Sequence, residues 1–418
     1  MRMKFSRSSQ LVLVAAASLV AASLITACET LTVDFVFVAS TRAAGANNYG
    51  EIDVFEINSE SGRMRQIPTS PFPSEGRNPV AEAVSADDQN LFVVNHDDNT
   101  IVQFIIGNDG KLYPYNTVNT PGIFPLAIAT SKSNVFVVDT YQPLPLCSPA
   151  DPCSGSIAVY PLTAATSSTP IGLGTAATNP AVNAQYWPLT LTGANASHVI
   201  VPTAVNVSAS GAYVYVTAYD SSVTPSAGYV FGFSVGSGGA LTAVPGSPFA
   251  AGIQPSAIAS DAKSAFVYVT DSVRGNVLGY SVSATTGTAG ALTALSGSPY
   301  PAGNDPTGVV VDPSYAYAYV SNSTDATVTA YSMSSTGVLT RINSYATGLQ
   351  PVAIGIDPST NHFLFTVNFL DNTVSDFELS TTAGTLLDAQ FSPFPTNAQP
   401  VAAAAIPHNG TGGGVGSH

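Results

Sequence analysis

One hairpin, repeated, restricts this chain more than any other feature of its sequence. Asn90–Ile106 reads NLFVVNHDDNTIVQFII. Leu91–Asn95 and Thr100–Ile106 are apolar, β-branched runs, and His96-Asp97-Asp98-Asn99 between them is turn chemistry, so the stretch predicts a β-hairpin. Phe365–Phe377 repeats it, with Asn368, Asp371, Asn372 and Thr373 in the places of Asn95, Asp98, Asn99 and Thr100. Seven copies in all align on one aromatic of the second hairpin strand: Phe55, Phe104, Tyr160, Phe233, Tyr280, Tyr331 and Phe377. Their spacing is 46 to 56 residues, apart from one stretch of 73 between Tyr160 and Phe233. A period of that size marks a propeller or an array.

Two further markers travel with the unit. A Gly-X-Leu step follows the hairpin, as at Gly110, Gly239, Gly290, Gly337 and Gly384, and reads as a turn into another strand. A proline then opens a strand of small residues at Pro79, Pro125, Pro202, Pro255, Pro306, Pro351 and Pro400, and the residue two beyond it is Ala or Gly each time. Small side chains are required where sheets converge on an axis, so this strand is expected to be innermost. Proline fits at a strand's first residue. Each unit thus supplies four strands. The first repeat lacks an inner strand and the last, at Pro400–Ile406, has one to spare. The expectation is an all-β, seven-bladed propeller of four-stranded antiparallel blades, closed by N-terminal strands pairing with a C-terminal inner strand.

Tyr268-Val-Thr-Asp271, Tyr319-Val-Ser-Asn322, Phe92-Val-Val-Asn95 and the Asp-Asn-Thr turns resemble YVTN-type propeller repeats. Residues 33–407 together resemble the seven-bladed lactonase family that includes 6-phosphogluconolactonase. That resemblance implies lactone hydrolysis, with histidine at the start of inner strands. The corresponding positions here are Val80, Leu126, Thr203, Ser256, Thr307, Val352 and Val401.

Ahead of the repeats, Arg2, Lys4 and Arg7 precede a charge-free run from Leu11 to Ile25, which reads as a secretory leader rather than a membrane span. Ile25-Thr26-Ala27-Cys28 resembles a bacterial lipobox, which implies a leader over 1–27, acylation of Cys28 and a lipid-anchored, exported protein of the cell envelope. The propeller would then occupy 28–407, followed by a Gly-rich disordered tail over 408–418. Cys147 and Cys153, an even pair in an exported chain, are expected to form a disulfide. The net charge of −14 argues against nucleic acid as a partner. A monomer is expected.

Blade 3 carries two insertions, Thr140–Gly155 and the excursion from Tyr160 to Pro202, both expected on one face of the ring together with longer hairpin loops at Thr41–Tyr49 and Tyr219–Gly228. Loop elaboration on one face is where propellers place function. On that face the hairpins' first strands end in Ser40, Asn95, Asp139, Ala218, Asp271, Asn322 and Asn368. Two readings of these side chains stand: caps on backbone amides, or a ring of oxygens for a sugar or a Ca²⁺ ion. No compact acidic loop motif supports the cation, and no cofactor is expected.

Glu82 stands where the other six inner strands carry Ile128, Val205, Ile258, Val309, Ile354 and Ala403. A carboxylate buried in an apolar column needs a partner or a shifted pKa. Glu82 and His96 are therefore the candidate catalytic residues. Arg77, Asn95, Asp97, Asp139, Asp271, Arg274, Asn322 and Asn368 are candidate ligand contacts. Two functions remain: a lipid-anchored binding or scaffold propeller holding a glycan, peptide or protein, which the thin catalytic equipment favours, and a sugar-lactone hydrolase, which the resemblance implies.

Overall fold

The computed structural model describes residues 33–58, 61–143, 147, 150, 152–164, 170–313, 316–357 and 363–407. The leader, Cys28 and the Gly-rich tail lie outside the described residues. Seven antiparallel sheets form seven blades in a ring. Blade 1 is closed by Val33–Ala44 pairing on one side with Tyr49–Asn58 and on the other with Pro400–Ile406, so the two ends of the chain complete one sheet. The inner strands of the other blades are Pro79–Val84, Ile123–Thr130, Ile200–Val207, Pro255–Ser260, Pro306–Val311 and Pro351–Ile356. One apolar cluster lies between each pair of neighbouring blades.

The repeated aromatics bolt these interfaces. Tyr215, Tyr268 and Tyr319, at the start of the YVTN-like segments, donate their hydroxyls to the carbonyls of Gly290, Gly337 and Gly384 in the next blade. Those carbonyls belong to the Gly-X-Leu steps. Their glycines hold φ between +65° and +81°, and a Cβ on any of them would press against the aromatic ring of Tyr213, Phe266 or Tyr317. Glycine is therefore required there twice over, for its backbone and for the space. Tyr280 and Tyr331 bond in the opposite direction, to the carbonyls of Ala250 and Pro301.

The structure departs from the sequence-based expectation in two places. The fourth strand is broken into two short pieces in blades 1, 3, 4, 5 and 7, both pairing with the third strand. In four of these blades the second piece follows a Ser-Pro step, and the serine hydroxyl accepts a ladder amide: Ser70 from Val54, Ser247 from Gly232, Ser298 from Gly279 and Ser392 from Asp376. The hydroxyl fills a backbone need that the interrupted strand leaves open. The long hairpins of blades 1 and 4, for their part, are not loops but continued ladder, with Ala44 opposite Tyr49 and Asp220 opposite Ala227.

Candidate functional site

The strand-end column comes first, because five of its seven members were candidate ligand contacts. Asn95, Asp139, Asp271, Asn322 and Asn368 are all fully buried. Each packs on a glycine three residues before the inner-strand proline of its own blade: Gly76, Gly122, Gly252, Gly303 and Gly348, where a Cβ would come within 2.1–2.7 Å of the side chain. In Asn95, Asp139, Asp271 and Asn322 a side-chain polar atom holds the connector backbone. Asp139 accepts from the Gly122 amide at 3.2 Å, Asn322 from Gly303 at 2.9 Å, and Asp271 from Ile253 at 2.8 Å. Asn368 donates to Thr373 and Ser375. In the two blades without Asn or Asp at the strand end, at Ser40 and Ala218, the glycine is replaced too, by Asn397 and Val199. The chain thus carries its own control: side chain and glycine change together because they compete for one space. In four of the five residues the bonds made are those of backbone caps.

The turns continue the same work. Asp98, Asp325 and Asp371 accept the amides of Arg77, Asn304 and Leu349 on the connector before their blade. Asn99 and Asn372 accept those of Phe124 and Gln399 on the connector after it. Arg274 is exposed in the blade 5 turn, three blades round the ring from Arg77, and its amide is one of those held by Asp271.

Glu82 does lie in an apolar column. Ile128, Val205, Ile258, Val309, Ile354 and Ala403 each belong to a blade interface, and Glu82 fills the same place between blades 1 and 2. It pairs with Val93, below the level of Asn95, and neither carboxyl oxygen is open to solvent or holds a partner in hydrogen-bonding geometry. Burial raises its pKa to about 8, only partly opposed by the nearby amides of Ala39 and Ala404. The proton-bearing neutral form is the one this interface holds.

What the hairpin of blade 2 adds to the shared turn is His96 and Asp97. Nδ1 of His96 lies 2.7 Å from Oδ1 of Asp97, which also accepts the side-chain amide of Asn78 at 3.1 Å. A carboxylate only accepts, so Nδ1 carries the hydrogen, and in the neutral form of the ring Nε2 presents the lone pair. Burial pulls the Asp97 carboxyl upward, but bonds from His96 and Asn78 and the charge of Arg77 outweigh it and hold the pKa below the ordinary value. Arg77 is itself held by Asp98, 2.6 Å from Nε, and reaches the Asp97 carbonyl at 3.5 Å.

The imidazole stacks on Phe124, with centroids 4.5 Å apart and planes at 4°, and Phe124 meets Tyr141 edge-on at 6.1 Å. Phe124 has φ +59°, a conformation that bulky residues rarely adopt, and is pinned on both sides: its amide bonds Asn99, and its carbonyl accepts the Thr140 hydroxyl at 2.8 Å. On the blade 1 side of Arg77 and Asp98, a depression of about 410 Å³ is lined by Asn47, Tyr49, Glu75, Arg77, Asp98 and Thr100.

Phe124, Asn78 and Tyr141 were missed by sequence reasoning. A signal existed. The residue before each inner-strand proline reads Asn78, Phe124, Val201, Gln254, Asp305, Gln350 and Gln399, with one aromatic among them.

A second imidazole faces a carboxylate in blade 4, where Nδ1 of His198 is 2.6 Å from Oδ2 of buried Asp220. Its backbone is tied to the disulfide loop by Ser154, whose hydroxyl donates to the His198 carbonyl. Cys147 and Cys153 are bonded, with Cα atoms 5.3 Å apart. At the inner-strand starts, where the resemblance implied histidine, the ladder bulges in every blade. Thr203, Ser256 and Thr307 there bond Thr217, Thr270 and Ser321, while Val80, Leu126, Val352 and Val401 offer no polar group. Among the described residues no group of three metal-ligating side chains occurs.

The family model described as "Lactonase, 7-bladed beta-propeller" matches residues 46–167 and 227–399, more than half of the chain. No curated protein matches. A putative 6-phosphogluconolactonase from Bacteroides fragilis superposes with a TM-score of 0.68 at 19% identity, covering 90% of this chain and 99% of its own. The Pseudomonas aeruginosa periplasmic gluconolactonase PpgL does so with a TM-score of 0.67 at 16% identity, again over 90% and 99%. At such identities the two solved structures speak for the fold.

Proposed function

Because the chain belongs to the seven-bladed β-propeller lactonase family, we propose that it opens the ester ring of a sugar lactone at the mouth between blades 2 and 3. The observation that carries this reading is the His96–Asp97 pair. Asp97 fixes the tautomer that leaves Nε2 of His96 as a base, the arrangement a hydrolase needs to activate water. Nε2 takes a proton from water as the oxygen bonds to the lactone carbonyl carbon, and the carbonyl oxygen takes up the negative charge. Collapse of that intermediate re-forms the carbonyl and breaks the bond to the ring oxygen. The ring oxygen takes the proton from His96 and leaves as a hydroxyl of the open acid.

The scaffold reading favoured by the sequence rested on thin catalytic equipment and an expected surface address, and the inner strands lack the histidine that the resemblance implies. The blade 2 hairpin supplies an imidazole by another route, and the family match weighs toward hydrolysis. Glucono-δ-lactone opening, followed by acid release against the spontaneous rate, tests this. His96→Gln is expected to lower kcat/KM by about 10²–10⁴-fold with the melting temperature unchanged. A wild-type rate at background, or an unaffected His96→Gln variant, sinks the reading.

A further inference from the structure

The charge around the His96–Asp97 pair bears on which lactone can approach it. Glu75 and Asp98 line the depression on the blade 1 side, Arg77 links Asp98 to the Asp97 carbonyl, and Asp97 sits in the pair itself, so three carboxylates gather around this one cation. The cation among them, Arg77, is already bound through Nε and its backbone amide to Asp98. The exposed Arg42 lies in the extended first hairpin strand of blade 1 and the exposed Arg274 in the turn of blade 5, and the whole chain carries a charge of −14. A phosphate dianion would need free guanidinium or ammonium groups in a converging fork. Here it would meet a cation already neutralised and an excess of negative charge. A neutral sugar ring needs hydroxyl partners and apolar surface instead. The carboxylates, Asn78 and Thr100 offer the first, and the half-buried row of His96, Phe124 and Tyr141 offers the second.

Resting on the lactonase reading, we infer that this site takes an uncharged sugar lactone and discriminates against its phosphorylated counterpart, with Glu75, Asp97 and Asp98 as the discriminating groups. The experiment compares kcat/KM for glucono-δ-lactone and 6-phosphoglucono-δ-lactone on the folded protein. The neutral lactone is expected to be favoured at least about tenfold at low ionic strength, which is about 1.4 kcal/mol. Raising the salt to about 0.5 M should narrow the gap severalfold by raising the phosphorylated rate, since exposed charges are screened over a few ångströms there. Glu75→Lys should raise kcat/KM for the phosphorylated lactone about threefold or more. Equal or faster turnover of the phosphorylated lactone, or a preference that neither salt nor Glu75→Lys moves, overturns the inference and leaves the hydrolase reading standing. Background rates on both lactones overturn the two together.

Discussion

Blades 2 and 7 carry the same turn with different contents. Asn95, Asp98, Asn99 and Thr100 in blade 2 correspond to Asn368, Asp371, Asn372 and Thr373 in blade 7. The shared residues do the same structural work: Asp98 and Asp371 hold the connector before the blade, and Asn99 and Asn372 hold the one after it. The two positions left over are His96-Asp97 in one blade and Phe369-Leu370 in the other. Leu370 is 61% exposed and lies beside exposed Leu349, to whose carbonyl its amide donates. Asp97 instead holds an imidazole in a defined tautomer. Chemistry in this fold is therefore free to vary only where the clamp makes no demand, two residues per turn.

The largest effect that separates the two blades is the loss of lactone opening in His96→Gln, a substitution that leaves the clamp untouched. The next concerns the wall between blades 1 and 2. Glu82 has its folded pKa raised to about 8 from an ordinary 4.5, so the folded state keeps a proton the unfolded chain gives up. Stability should fall as pH rises between those values and level off above them. Glu82→Gln removes that loss. Denaturant unfolding should find it more stable than wild type at pH 9, by on the order of 5 kcal/mol, and nearly equal at pH 5. A wild-type stability that is flat from pH 5 to pH 9 would contradict the buried, unpaired carboxyl.

A smaller effect tests the clamp. Asn368→Ala should cost about 1–2 kcal/mol through the lost acceptor of the buried Thr366 hydroxyl, the lost bonds to Thr373 and Ser375 and a void beside Gly348, without changing lactone turnover. If turnover falls with it, the clamp and the site are not separable as the comparison holds. The smallest is a graft. Phe369→His with Leu370→Asp places the pair on blade 7, where Gln399 stands in the position of Phe124. A stability change under about 0.5 kcal/mol is expected, and no new activity when tested in a His96→Gln background. Recovery of turnover there would show that the aromatic row is dispensable.

Most of the architecture was legible in the sequence because it is repeated. Seven aromatics in register, seven prolines with Ala or Gly two residues on, and an inner strand left over at Pro400–Ile406 specify blade number, inner strand and closure without any coordinates. The broken fourth strand was not read, although its Ser-Pro-Phe/Tyr step recurs at Ser70, Ser247, Ser298 and Ser392. Its meaning lies in which ladder amide the serine reaches, and that is a contact across strands.

The candidate site divides along the same line. Repetition by itself showed that most of the Asn and Asp residues of the turns are scaffold, and it singled out Glu82, His96 and Asp97 as departures from their columns. Only the tertiary structure could part those three. It places Glu82 inside the wall between blades 1 and 2, and it brings Phe124 from the next connector and Tyr141 from the next hairpin onto His96. A repeat fixes what every copy must do, since each copy faces the same neighbours. What one copy does alone depends on side chains from adjoining blades, and those meet only when the ring is closed.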